Sequence, residues 1–138
     1  MLNGYPPEYA LMSKVTAEHA GEPDKNGQFR IVSRTEIIGP NDVCTDSYLI
    51  IGASEDKSVV ENEYKYIQTR FTRFLLMLAV SSINLSPDKF QFIPLQDFTN
   101  QSDINWNMDI SDIDRQLYTK YLLNKNEIIF IEKMVKLI

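Results

Sequence analysis

The sequence predicts an α+β domain: a small mixed or antiparallel sheet packed against one long amphipathic helix, with a carboxy-terminal helical hairpin. Three observations carry this expectation. Over residues 58–78 apolar side chains recur at three- and four-residue spacing, at Val60, Tyr64, Ile67, Phe71, Phe74, Leu75 and Leu78, the period of one helix face. Before them lie short apolar or alternating stretches bounded by Gly, Pro, Asn and Asp, the pattern of strands. After residue 110 two apolar stripes each follow a capping residue.

Taken in order, Tyr5-Pro6-Pro7 resists a regular helix, so residues 1–8 read as a tether and 9–138 as a single domain. From Tyr9, the side chains of Leu11, Ser13 and Val15 share one side of a strand. Residues 18–28 hold Gly21, Pro23, Asp24, Asn26 and Gly27 and read as a loop. Phe29, Ile31, Ile37 and Ile38 bracket a second strand ending at Gly39-Pro40-Asn41-Asp42, and residues 47–52 form a third, of the buried type. The long helix follows. Projected along one continuous axis, Tyr66, Thr69, Arg70 and Arg73 fall opposite its apolar face, as a strip of aromatic, hydroxyl and guanidinium groups.

Ser86-Pro87-Asp88 ends that element, and Phe90, Phe92 and Pro94 suggest an edge strand. Residues 97–109 lack a stable period and read as an ordered connector anchored by Trp106. Ser111, with Asp114 three residues on, is the expected cap of a helix carrying Ile113, Leu117 and Tyr121. Asn124 and Glu127 repeat the spacing before Ile128, Ile131, Val135 and Ile138, so the two stripes are expected to meet as a hairpin.

Bulk properties narrow the function classes. A chain of 138 residues with 43% apolar and 24% charged side chains has the composition of one folded domain. No apolar run approaches the ~18 residues of a membrane span and no secretory signal opens the chain, so a cytoplasmic protein without a membrane partner is expected. A single cysteine, Cys44, excludes an internal disulfide and a cysteine-built zinc site. The net charge of -5 repels a phosphate backbone at long range, but the distribution is uneven: Lys65, Arg70, Arg73 and Lys89 stand against Asp88 alone over residues 65–89.

Catalytic sets are missing from the pattern. His19 is the only histidine, and its neighbours Glu18, Glu22 and Asp24 lack the fixed spacing of metal ligands. The five glycines form neither phosphate-binding motif. Pro23-Asp24 and Pro87-Asp88 open like a PD-(D/E)xK nuclease motif but lack its acidic-x-Lys half, and Asn3-Gly4-Tyr5-Pro6-Pro7 holds the residue types of an adenine-methyltransferase NPP(Y/F) motif in the wrong order. No catalytic residue, metal ligand or cofactor is therefore assigned to this chain, and a binding or scaffold role is expected.

Several segments resemble the carboxy-terminal region of bacterial restriction-modification proteins that join an adenine-specific DNA methyltransferase to restriction and specificity parts (type II, type IIG-like). They are His19-Ala20-Gly21-Glu22-Pro23; residues 43–52, Val43-Cys44-Thr45-Asp46-Ser47-Tyr48-Leu49-Ile50-Ile51-Gly52; and Thr69-Arg70-Phe71-Thr72-Arg73-Phe74-Leu75. Phe92-Ile93-Pro94-Leu95-Gln96-Asp97-Phe98-Thr99, Ser102-Asp103-Ile104-Asn105-Trp106, Ile113-Asp114-Arg115-Gln116-Leu117-Tyr118 and Glu127-Ile128-Ile129-Phe130-Ile131-Glu132-Lys133-Met134-Val135-Lys136 continue the resemblance in order. A Lys is common in those proteins where Arg70 stands, and Leu122 occupies a place where they often carry glycine.

The resemblance implies a fragment of a larger restriction-modification protein: a non-catalytic specificity, or target-recognition, domain that grips double-stranded DNA. S-adenosylmethionine and a divalent metal are expected only for the parent methyltransferase or endonuclease. On this reading Arg70 and Arg73 are the leading contacts, since guanidinium bridges phosphates and reads guanine edges. Lys65 and Lys89 grip the backbone, and Thr69, Tyr66 and Gln96 add hydrogen bonds or stacking. The competing expectation pairs Arg70 and Arg73 with carboxylates of neighbouring elements and spends Gln96 on a backbone group. A second function class is an interaction module that packs on the methyltransferase or nuclease part through an apolar patch around Trp106, Met108 and the hairpin. A small metal-dependent nuclease is the third.

Overall fold

The computed structural model describes residues 9–14, 23–29, 31, 35–39, 48–79 and 93–138, so the tether, His19, Cys44, Ser86-Pro87-Asp88 and Lys89 lie outside the described residues. Within them, strands and helices mix, and helices predominate. Strands β1 (Tyr9–Lys14), β2 (Thr35–Ile38) and β3 (Tyr48–Ser54) pair antiparallel in the order β2-β1-β3. Ala10 stands opposite Ile38 on one side and Ala53 on the other, and the register against β3 shifts between Leu11 and Met12.

The second strand is shorter than its apolar residues predict. Ile31 takes a left-handed φ of 69°, which ends any extended run through Phe29. Phe29 instead bridges the far end of the chain, donating to the Met134 carbonyl at 2.8 Å and accepting from Lys136 N at 2.7 Å. Of the expected edge strand, Phe90 and Phe92 lie outside the described residues, and Pro94 belongs to no strand.

The single long helix is in fact two, α1 (Lys57–Gln68) and α2 (Arg70–Ala79). Thr69 separates them in an extended conformation, φ -67° and ψ 152°. Its hydroxyl supplies the reason: Oγ1 donates to the Tyr66 carbonyl at 2.7 Å and accepts from Thr72 N at 3.1 Å. One side chain thus closes the end of α1 and caps the start of α2, the competition with backbone bonding at which threonine excels.

Helices α3 (Ile110–Lys120) and α4 (Lys125–Met134) close the chain. The cap of α3 is Asp109 rather than Ser111, its carboxylate accepting from Asp112 N at 2.9 Å. The capping box of α4 forms as its spacing predicts, with Asn124 Oδ1 accepting from Glu127 N and Glu127 Oε1 from Asn124 N, both at 2.8 Å. The turn between the helices places Leu122 at φ 58°, with Leu123 N donating to the Tyr118 carbonyl and Leu122 N to that of Thr119, a Schellman ending. Contrary to the expected hairpin, α3 and α4 are not a principal packing pair; each packs on α2.

The core gathers around this arrangement. Leu76, Ile113, Leu117 and Val135 are fully buried, and Val60, Ile67, Phe71 and Ile131 join them. Tyr9 and Ile37 bring strand residues against the same cluster. No helix among the described residues is long and apolar enough to cross a membrane.

Candidate functional site

The predicted contact strip faces inward. Because the axis turns at Thr69, residues placed opposite the apolar face of a straight helix meet α3 and the connector instead. Thr69 and Arg73 are fully buried and Tyr66 is 3% exposed, which overturns their reading as surface DNA contacts. Arg73 Nε donates to the carbonyls of Gln68 and Thr69, both at 3.2 Å, so the guanidinium closes the end of α1. Tyr66 Oη donates to the Pro94 carbonyl at 2.8 Å while its ring meets Trp106 edge-on at 5.8 Å. Burial pushes its phenol up to about 12.

Asp114, expected to cap its own helix, reaches across to another. Its Oδ2 accepts from Arg70 N at 3.1 Å and its Oδ1 from Phe71 N at 2.9 Å, so α3 supplies the carboxylate at the amino terminus of α2. Burial raises its carboxyl to about 6 despite these two amides and the guanidinium groups of Arg73 and Arg70. Arg70 lies 3.7 Å from Glu132 of α4, and Glu132 accepts from Tyr118 Oη at 3.4 Å. One polar cluster therefore ties α2, α3 and α4 together.

The other described candidates, Lys65 and Gln96, are also engaged within the molecule. Lys65 Nζ donates to the Trp106 carbonyl at 2.7 Å. Gln96 donates to Tyr121 Oη at 2.7 Å and accepts from Lys120 Nζ at 2.9 Å, the same ammonium that meets Asp103 at 3.0 Å. The competing sequence expectation describes this better in kind: Arg70 has a carboxylate neighbour in Glu132, and Arg73 acts on the Asp114 carboxyl besides taking two carbonyls, although Gln96 takes side chains. Burial also raises the carboxyl of Glu63, whose Oε1 has no hydrogen-bond partner.

The connector is ordered as expected. Trp106 Nε1 donates to the Asp97 carbonyl at 2.8 Å, and its ring lies 5.2 Å from that of Phe98. At 3% exposure Trp106 is core, so it is not the centre of a partner patch.

Part of the outward surface of α2 and α4 is apolar. A groove of about 480 Å³ opens between α2 and α4, lined by Phe71, Phe74, Leu75, Leu123, Phe130 and Ile131, with Asn124, Asn126 and Glu127 at its rim. Phe130 is 53% exposed and stands edge-on to Phe74 at 5.9 Å. The sequence held the signal for this groove: Ile129 and Phe130 are apolar yet fall off the stripe of Ile128, Ile131 and Val135, so α4 has more apolar side chains than one buried face accommodates. Among the described residues no group of His, Cys, Asp and Glu could hold a metal ion.

Comparisons with protein-family models, with curated proteins and with solved structures found no match to this chain.

Proposed function

We propose that this chain is a non-catalytic interaction domain that packs on and positions the methyltransferase or nuclease part of a restriction-modification enzyme. The observation that carries the reading is the open groove between α2 and α4, with half-exposed Phe130 at its edge. Apolar surface left in water at a formed groove is the property that drives association. The restriction-modification part of the reading rests on the ordered sequence segments that resemble those enzymes. In it, S-adenosylmethionine, a divalent metal and the cytoplasmic setting belong to the parent enzyme. The α+β layering, with the antiparallel sheet laid on α1, serves as the platform that holds the groove-forming helices.

A DNA-recognition domain gripping double-stranded DNA is the weaker reading. To touch a duplex, Arg73, Thr69 and Tyr66 would have to leave buried partners, and Lys65 the Trp106 carbonyl. The net charge of -5 opposes the approach of phosphates.

The test is photo-crosslinking in the native host, with benzoyl-phenylalanine at position 130. Crosslinked peptides from an adenine methyltransferase or restriction nuclease are expected. Crosslinks confined to unrelated proteins overturn the proposal. Salt-sensitive duplex binding by the intact domain, measured by fluorescence anisotropy, would restore the DNA reading.

A further inference from the structure

A cleft of about 370 Å³, which shares Asp103 with the Gln96 cluster, opens between the start of α1, the connector and α3. That volume falls within the ~300–1,000 Å³ typical of small-molecule sites. Its polar lining includes Asn62, Asn100, Asp103, Asn105, Asn107 and Gln116, over a floor of Ile104 and Trp106.

The walls are fixed in advance. Gln116 holds the connector with both ends of its amide, accepting from Asn105 N at 2.7 Å and donating to the Asn105 carbonyl at 3.1 Å. Asn62 Nδ2 donates to the Phe98 carbonyl at 2.8 Å, and Asn105 Oδ1 accepts from Asn107 N at 3.1 Å. These bonds use only part of what the side chains offer. Among the described residues, Oδ1 of Asn62, Nδ2 of Asn100 and of Asn105, the whole side-chain amide of Asn107 and Oδ2 of Asp103 make no hydrogen bond. The cleft therefore presents donors and acceptors interspersed on a rigid frame.

Ligand classes separate on this chemistry. The lining holds no Lys or Arg, and the one ammonium beside it, Lys120 Nζ, is already taken by Asp103 Oδ1 at 3.0 Å and Gln96 Oε1 at 2.9 Å, so a phosphate would meet no free cation. A planar base needs an exposed ring to stack on, whereas Trp106 is 3% exposed and occupied by Phe98 and Tyr66. A hydroxyl is both donor and acceptor, so a row of hydroxyls matches interspersed amides and one carboxylate oxygen. We propose that this cleft binds a neutral polyhydroxylated ligand, a sugar or a linear polyol, through the side chains of Asn62, Asn100, Asp103, Asn105 and Asn107. This inference is independent of the groove between α2 and α4.

The test is amide chemical-shift mapping of the whole chain titrated separately with D-glucose, D-galactose and sorbitol, and with adenosine and inorganic phosphate as controls. Saturable shifts confined to residues 58–62, 99–107 and 116 are expected with at least one of the three polyols; response to the hexoses alone identifies ring sugars, and response to sorbitol identifies open-chain polyols. Asn107→Ala and Asn100→Ala remove exposed side chains without touching the Gln116 or Asn62 anchors, and each is expected to weaken binding about tenfold with the rest of the spectrum unchanged. Absence of saturable shifts with all three polyols overturns the proposal. So does polyol binding that neither variant weakens, or saturable binding of adenosine or phosphate in their place.

Discussion

Asp114 caps a helix that lies 43 residues before it in the sequence: its Oδ1 accepts from Phe71 N at 2.9 Å, while Oδ2 takes Arg70 N. Removing the carboxylate leaves two helix-end amides without an acceptor and takes a negative charge from beside buried Arg73. Asp114→Ala is expected to destabilise the domain by about 3–5 kcal/mol, as for the loss of one partner from a buried ion pair. Asp114→Asn, which can still accept one of the two bonds, is expected to lose roughly half as much. Urea denaturation of the three proteins at neutral pH measures both.

The same carboxyl gives an unusual pH dependence. Its folded value of about 6 lies above its ordinary 3.8, because burial penalises the ionised form more than the amides and guanidinium groups favour it. A raised value means that the folded state holds the proton more tightly. The stabilisation is complete below the ordinary value and is lost as pH rises through about 6. Asp24, Asp56 and Asp97 are shifted the other way by hydrogen bonds to their carboxylates, so their contributions fade as pH falls. The useful quantity is therefore wild type minus Asp114→Asn. That difference is expected to grow, by on the order of 2 kcal/mol, between neutral pH and about pH 4. A difference that stays flat or shrinks on acidification contradicts the burial argument.

Arg73 is expected to behave as a structural residue. Its Nε serves the last carbonyls around the break between α1 and α2, and its side chain is fully buried beside Asp114. Arg73→Ala should cost about 3–5 kcal/mol. Arg73→Lys keeps the charge but cannot reproduce the planar fork, and should still cost roughly 1–3 kcal/mol. Thermal melts by circular dichroism check both. Full stability in either variant would return Arg73 to the surface.

The sequence revealed apolar periodicity better than the direction of the polar groups between. The spacing of Val60, Ile67 and Phe71 reports the buried face of both α1 and α2, since each segment keeps the helical period by itself. It does not report the break, because a threonine that caps a new helix has the same identity as one within a helix. Once the axis turns, the opposite strip has no outside. The Asn124–Glu127 box was readable because its three-residue spacing is its mechanism. The role of Asp114 was not, because its partners are distant in sequence and local spacing suggested a cap on its own helix. Trp106 was correctly an anchor but not an exposed patch, since composition carries no record of which rings surround it. Ile129 and Phe130, apolar residues off the buried stripe of α4, carried a signal of further apolar surface that the stripe alone did not bring out, and the groove came to light only in three dimensions.

Capping at α4 supplies a local test. Asn124 Oδ1 and Glu127 Oε1 exchange hydrogen bonds with one another's backbone amides at an exposed helix start. Asn124→Ala should lose about 1 kcal/mol, chiefly through faster exchange of the first amides of α4. Amide hydrogen exchange resolves that helix from the rest.

Leu122 offers the opposite sign. It occupies φ 58° at the end of α3, where a side chain with a Cβ is strained, and it is 87% exposed, so little packing is at stake. The Schellman bonds of Leu122 N and Leu123 N are backbone bonds and survive any substitution that keeps this conformation. Glycine relieves the strain but adds freedom to the unfolded chain, and at a left-handed position the first effect exceeds the second. Leu122→Gly is therefore expected to stabilise the domain by about 0.5–1 kcal/mol, whereas Leu122→Val, β-branched in the same left-handed position, should destabilise it by a similar amount. Denaturation midpoints of the two variants, compared at equal m-values, decide the matter. If both move in the same direction, backbone strain at Leu122 is not what sets the stability of this turn.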